Sequence, residues 1–131
     1  MIVRHFILLI AVSLFFGCAS PATYEWGNYE QTLYKNYKNP NNDEELFTEL
    51  KALVTKYESE AKPNQKPMAP GLYAEYGFLL MIRGENQRAI DYFNKEKSIW
   101  PQSSTFMDRM IQTAQITRES TSKTETVGDS E

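Results

Sequence analysis

The sequence predicts an all-α chain, a small antiparallel array of helices finished by a terminal capping helix. Three observations predict it. Between Pro70 and Pro101 two helical patterns flank a breaker, Arg83-Gly84-Glu85-Asn86. Upstream, Leu46, Phe47, Leu50, Leu53, Val54 and Tyr57 recur at the spacing of one helix face. Downstream, Phe106, Met107, Met110, Ile111 and Ala114 mark a further apolar face.

In chain order, Met1 to Gly17 reads as a targeting segment. Arg4 supplies a positive start, and Phe6 to Phe16 is an apolar run of 11 residues broken only by Ser13. A bilayer-spanning helix needs roughly 20 residues, so the run fits a secretory leader better than a membrane span. Cys18 follows the small Gly17. The pattern resembles a bacterial lipoprotein signal, although Phe15 and Phe16 depart from the usual leucine and small residue. That resemblance implies that Cys18 becomes the first mature residue and carries diacylglycerol and an acyl chain. Ala19 and Ser20 follow, with no aspartate at the second mature position; by the same resemblance this favours the outer membrane.

Composition narrows the remaining classes. Cys18 is the sole cysteine, so no intramolecular disulfide forms. Loss of the leader removes Arg4 and leaves 114 residues with 13 Lys and Arg against 17 Asp and Glu, a net charge of −4. That is one small domain, and an acidic balance without a basic stripe excludes nucleic acid as the expected partner. His5, the sole histidine, lies in the leader. The mature chain therefore lacks the parts of a Ser/His/Asp or Cys/His arrangement and of a His/Cys zinc site. No cofactor or metal is expected. Carboxylate pairs such as Glu25 with Glu30, or Glu75 with Asp91, read as surface charge, and no catalytic residue is assigned.

Residues 18–23 form a short tether and 24–116 a helical domain. Tyr24 and Trp26 alternate as in an extended entry. Asn28 is a candidate cap for a helix carrying Tyr29, Leu33, Tyr34 and Tyr37, which Asn39-Pro40-Asn41-Asn42 ends. Asn42 with Glu45 three residues on resembles a capping box for the 46–57 helix. Pro63, Asn64 and Pro67 make 61–69 a loop.

Pro70 then suits a first helical turn. Tyr73, Tyr76, Gly77 and Leu80 share one face, with Gly77 placed to admit a neighbouring helix. Gly84 is a ready cap after this helix. Ala89, Ile90, Phe93 and the Lys97 stem form the inner side of the next helix, and Pro101 closes it. Together Tyr73, Gly77, Gly84, Ala89, Phe93 and Pro101 resemble a tetratricopeptide repeat, a unit of about 34 residues folded as two antiparallel helices. Tyr76 stands where leucine is usual and Glu96 where a small residue is usual. The second departure implies non-standard stacking on whatever follows.

Ser103, Ser104 or Thr105 is a candidate cap for the last helix, which is expected to cover the open side of the hairpin. Residues 117–131, TRESTSKTETVGDSE, have almost no apolar content and are expected to be disordered.

Three blocks in combination resemble a family of small bacterial lipoproteins known only as a domain of unknown function. They are Cys18; Tyr24, Trp26, Gly27, Tyr29, Leu33 and Tyr34; and Asn94-Lys95-Glu96-Lys97 with Pro101-Gln102-Ser103, Phe106, Met107 and Asp108. Gln102 replaces the family's usual glutamate. The resemblance implies neighbours that are lipoproteins themselves, one similar to the curli-secretion channel protein, and hence work in an envelope assembly.

Trp26, Tyr29 and Tyr34, with Tyr24 beside them, read either as core or as a surface for a partner or a glycan. Glu96 reads either as part of a solvated Lys/Glu run or as an inward group meeting a buried or partner residue. The expectation is a non-catalytic, lipid-anchored outer-membrane adaptor that faces the periplasm and binds other envelope lipoproteins. The alternative is a peptidoglycan-binding lipoprotein that uses the segment around Trp26.

Overall fold

Among the described residues of the computed structural model, five helices follow one another: α1 (Tyr29–Lys38), α2 (Asp43–Ser59), α3 (Leu72–Ile82), α4 (Asn86–Ile99) and α5 (Ser104–Gly128), with a 3-10 turn at Pro101–Ser103. The structure describes residues 23–40, 42–60 and 62–128. The leader 1–17, Cys18 with most of the tether, and the last three residues lie outside them. The described residues contain no strand, and each helix packs on its chain neighbour. A parallel bridge pairs Glu25 with Met68. Glu25 N–H donates to Pro67 O at 2.9 Å and Ala69 N–H to Glu25 O at 3.0 Å, so the entry segment is extended as Tyr24 and Trp26 predict.

Local chemistry sets the boundaries. Asn42 Oδ1 accepts the Glu45 N–H at 3.3 Å, and the Asn42 side-chain amide donates to the Glu45 carboxylate at 2.6 Å. The reciprocal cap thus closes between side chains, and one orphan N–H at the start of α2 is satisfied. Asn28 occupies the cap position of α1 but makes no side-chain cap bond; its carbonyl accepts from Thr32 instead. α3 begins at Leu72, two residues beyond Pro70, because Gly71 holds a left-handed φ of 92° at the cap.

At the other end of α3, Gly84 N–H donates to Met81 O at 3.0 Å and Glu85 N–H to Leu80 O at 3.0 Å, a Schellman closure. It requires positive φ at Gly84, observed at 78°. A Cβ there meets nothing within 4 Å, so Gly84→Ala is expected to cost only the backbone penalty, about 1–2 kcal/mol, read as a lower urea midpoint at unchanged slope.

The core gathers the predicted apolar faces. Leu50, Val54, Leu80, Ala89 and Phe93 have no solvent exposure, and Tyr76, Leu72, Met107 and Ala114 nearly none. Gly77 faces Phe93 across the α3–α4 contact: a Cβ built on it lies 2.7 Å from Phe93 Cε1. The tyrosines pack as a chain, with Tyr73 stacked on Tyr92 at 5.9 Å and Tyr92 edge-on to Tyr76 at 4.7 Å. Phe47 joins from α2, 5.9 Å from Tyr76. Met107 and Ala114 place α5 against α4 as the terminal cover.

Tyr34 and Tyr37 share a helix with Tyr29 and Leu33; Tyr29 packs against the core, whereas Tyr34 and Tyr37 stay at the surface. Tyr34 is 58 % exposed and Tyr37 83 %, while Thr32, on the opposite side, is the buried residue of α1. Residues 117–128, expected to be disordered, are helical as the end of α5. Once a helix is nucleated each further residue adds a hydrogen bond at little cost, and no proline interrupts this stretch.

Candidate functional site

Glu96 explains its own departure from the repeat pattern. It is 2 % exposed, and its Oε1 accepts the Gly71 N–H at 2.8 Å. A carboxylate from α4 therefore caps the N-terminus of α3, where glycine supplies no capping side chain and the helix dipole favours negative charge. Burial raises the Glu96 carboxyl above its ordinary range, and the N–H groups of Gly71, Ala74 and Tyr73 oppose that rise. Oε2 makes no hydrogen bond. Of the two sequence readings, the inward one is observed, with backbone of the same chain as partner.

The sign of the pH effect follows. A carboxyl whose folded pKa exceeds its unfolded value contributes stability that is complete below the unfolded pKa and is lost as pH rises through the folded value. Glu96→Gln keeps an acceptor for Gly71 and removes the titration. The wild type is expected to lose stability relative to Glu96→Gln as pH rises from the ordinary carboxyl range toward neutrality, measured by urea denaturation across that span.

The remaining candidates separate. Tyr24 packs edge-on against Trp100 at 5.1 Å, and Trp100 Nε1–H donates to Met68 O at 3.2 Å. This cluster ties the entry segment and the 62–69 loop to the end of α4. Tyr29 donates its hydroxyl to Glu75 on α3 and stacks on Trp26 at 6.1 Å; burial first, then Glu75, raises its phenol well above the ordinary value. Tyr24 and Tyr29 are thus internal struts. Trp26 and Tyr34 stay exposed, with the Lys38 ammonium 4.6 Å from the Tyr34 ring centre. The repeat residues Tyr73, Gly77, Ala89 and Phe93 are buried in the helix contacts, while Gly84 and Pro101 terminate elements.

Sequence periodicity missed Leu33 and Tyr37 as surface residues, along with Phe78, Ile82, Phe106 and Ile116. A signal for two of them exists. The α3 sequence, LYAEYGFLLMI, is apolar nearly all round. Its inner sides take Leu72, Tyr73, Tyr76, Leu79 and Leu80, so Phe78 and Ile82, one turn apart, are left outward.

A cleft of about 860 Å³ opens between α2 and the 62–68 loop, lined by Glu25, Leu53, Tyr57, Lys62 and Lys66 among others. A second, of about 440 Å³, lies beside Trp26, Glu30 and Leu33. The first mixes charges of both signs with apolar walls, while the second carries Glu30 as its charged lining residue. Among the described residues no three His, Cys, Asp or Glu side chains come together as a metal ligand set. Burial, with Glu58 next, pushes the Tyr92 phenol up to about 12, and Tyr73 moves the same way. Such phenols hold their protons at neutral pH and make poor bases. Glu96 lines neither cleft.

A family model described as a domain of unknown function (DUF4810) matches residues 23–110, from the extended entry into the packed part of α5. No curated protein and no solved structure matches the chain.

Proposed function

We propose, for a chain that belongs to the DUF4810 family, the role of a non-catalytic, lipid-anchored adaptor of the outer membrane that binds other envelope lipoproteins. The observation that carries the binding role is the uncovered side of α3. Phe78 is 45 % and Ile82 56 % exposed on the central helix of the array. Large apolar side chains side by side on a rigid helix are the kind of surface a protein partner covers. Arg83 beside them bonds Glu44 at 2.6 Å and lies 4.0 Å from the Phe47 ring, which holds this end of α3 against α2.

The anchor is Cys18, and its acyl chains supply membrane attachment at about 0.8 kcal/mol per buried CH₂. No helix among the described residues is long and apolar enough to cross a membrane. Cys18→Ala is expected to move the protein from the membrane fraction to the soluble fraction, to abolish metabolic labelling with palmitate, and to lose crosslinked envelope lipoproteins. Retention of both membrane location and partners in Cys18→Ala contradicts the anchor. Capture of peptidoglycan-linked material alone by the intact protein contradicts the adaptor role and favours wall binding through Trp26.

A further inference from the structure

We infer that the outward face of α1, formed by Trp26, Leu33, Tyr34 and Tyr37, docks on the lipid headgroup layer of the membrane that holds the acylated Cys18. The inference rests on the lipid-anchor reading and adds an orientation to it.

α1 meets the core through Tyr29 and Thr32 and leaves its other large apolar side chains outside. Thr32 is buried, while Leu33, Tyr34 and Tyr37 are exposed, and the exposed Trp26 adjoins Leu33 beside the first turn. In solution such an arrangement leaves apolar area in water that the fold could have buried. The residue types point to an interface between water and lipid. Tryptophan and tyrosine carry an apolar ring with a polar edge and concentrate at the headgroup level. Lys38, whose ammonium sits over the Tyr34 ring, has the long stem that lets a charge reach phosphate while its methylenes stay in apolar surroundings.

The chain geometry favours the same occupant. Trp26 is eight residues from Cys18. At roughly 3.5 Å per extended residue the link spans at most about 28 Å. An anchored Cys18 therefore holds this face near the bilayer at high effective concentration, and even weak contacts become populated. Glu30 shares the face and offsets Lys38, and the chain as a whole carries a net charge of −3. The attraction is thus apolar, so zwitterionic lipid suffices and added salt leaves it unchanged.

The test uses the full mature chain, acylated, in phosphatidylcholine vesicles, with Trp100→Phe so that Trp26 alone reports. Docking predicts that Trp26 emission shifts to shorter wavelength on vesicle insertion and is quenched by lipid brominated near the headgroup. It also predicts that Leu33→Ser/Tyr37→Ser, altering exposed positions and leaving the helical circular dichroism unchanged, abolishes both signals. An acylated protein that floats with the vesicles while Trp26 stays water-like and unquenched overturns the docking and leaves the anchor intact.

A chain that is not acylated removes the anchor reading. Docking is then decided by flotation of the Cys18→Ala protein: vesicle affinity weakened about ten-fold or more by Leu33→Ser/Tyr37→Ser supports it, and no affinity in either form overturns it. Pelleting with purified peptidoglycan, or dimerisation of the Cys18→Ala protein, that is lost in the same variant assigns the face to the wall or to a second copy and overturns the lipid proposal. Protection of Trp26 only while residues 1–17 remain attached assigns it to the leader and does the same.

Discussion

Phe93→Ala is expected to destabilise the protein by about 3–5 kcal/mol, enough to unfold a domain whose total stability is of order 5–15 kcal/mol under mild denaturant. Phe93 has no solvent exposure, and its ring occupies the space that the missing Cβ of Gly77 leaves open. Truncation leaves a cavity at the contact that joins α3 to α4, and its rigid helical walls collapse only in part. The same contact predicts the reverse defect. In Gly77→Ala the new methyl lies 2.7 Å and 2.9 Å from two Phe93 ring carbons and 3.2 Å from the Ala89 carbonyl. Alanine gains about 1 kcal/mol of helix propensity over glycine, yet the overlap forces ring or helix to move, so a net loss of about 1–3 kcal/mol is expected. The two defects are complementary in volume. Gly77→Ala with Phe93→Leu is expected to cost less than the sum of the single substitutions, because the added methyl fills part of the vacated space. Urea denaturation of the four proteins of that cycle measures the coupling.

Trp100→Ala is expected to cost about 3 kcal/mol, at the lower end of the range for buried tryptophan because the ring is only partly covered. The loss has two parts that a second variant separates. Trp100→Phe keeps an aromatic face for Tyr24 but forfeits the bond to Met68 O, about 1 kcal/mol. The alanine variant also removes the edge-on contact with Tyr24 and frees the segment that bridges Glu25 to Met68. Hydrogen exchange is expected to show faster opening of the amides of Glu25 and Ala69 in Trp100→Ala, with little change in those of α5, which lie on the far side of α4.

The helices and the repeat-like contact were legible because their signals are local. The 46–57 spacing, the Asn42–Glu45 pair and the glycines at 77 and 84 each state a local requirement, and the structure meets each one. α1 was not legible in the same way. Periodicity identifies which residues share a face, but it does not say whether that face turns inward. Here the Tyr29–Glu75 bond, the Lys35–Glu49 ion pair and the small Thr32 orient the helix, and each depends on a tertiary partner.

Glu96 was visible only as a departure from a pattern. Its cause, an α3 cap that lacks a capping side chain, needs the positions of Gly71 and α4 together. The persistence of α5 past 117 was hidden for a different reason. Composition reports that no core element is available there, not whether an established helix stops.

The most direct measurement is crosslinking in intact membranes of the wild type against Phe78→Ser/Ile82→Ser. Both side chains are exposed, so the variant is expected to fold and to remain in the membrane fraction. If the open side of α3 holds a partner lipoprotein, the crosslinked species seen with the wild type falls by about ten-fold or more in the variant. An undiminished crosslinked species, with the variant folded and anchored, contradicts a binding surface on α3.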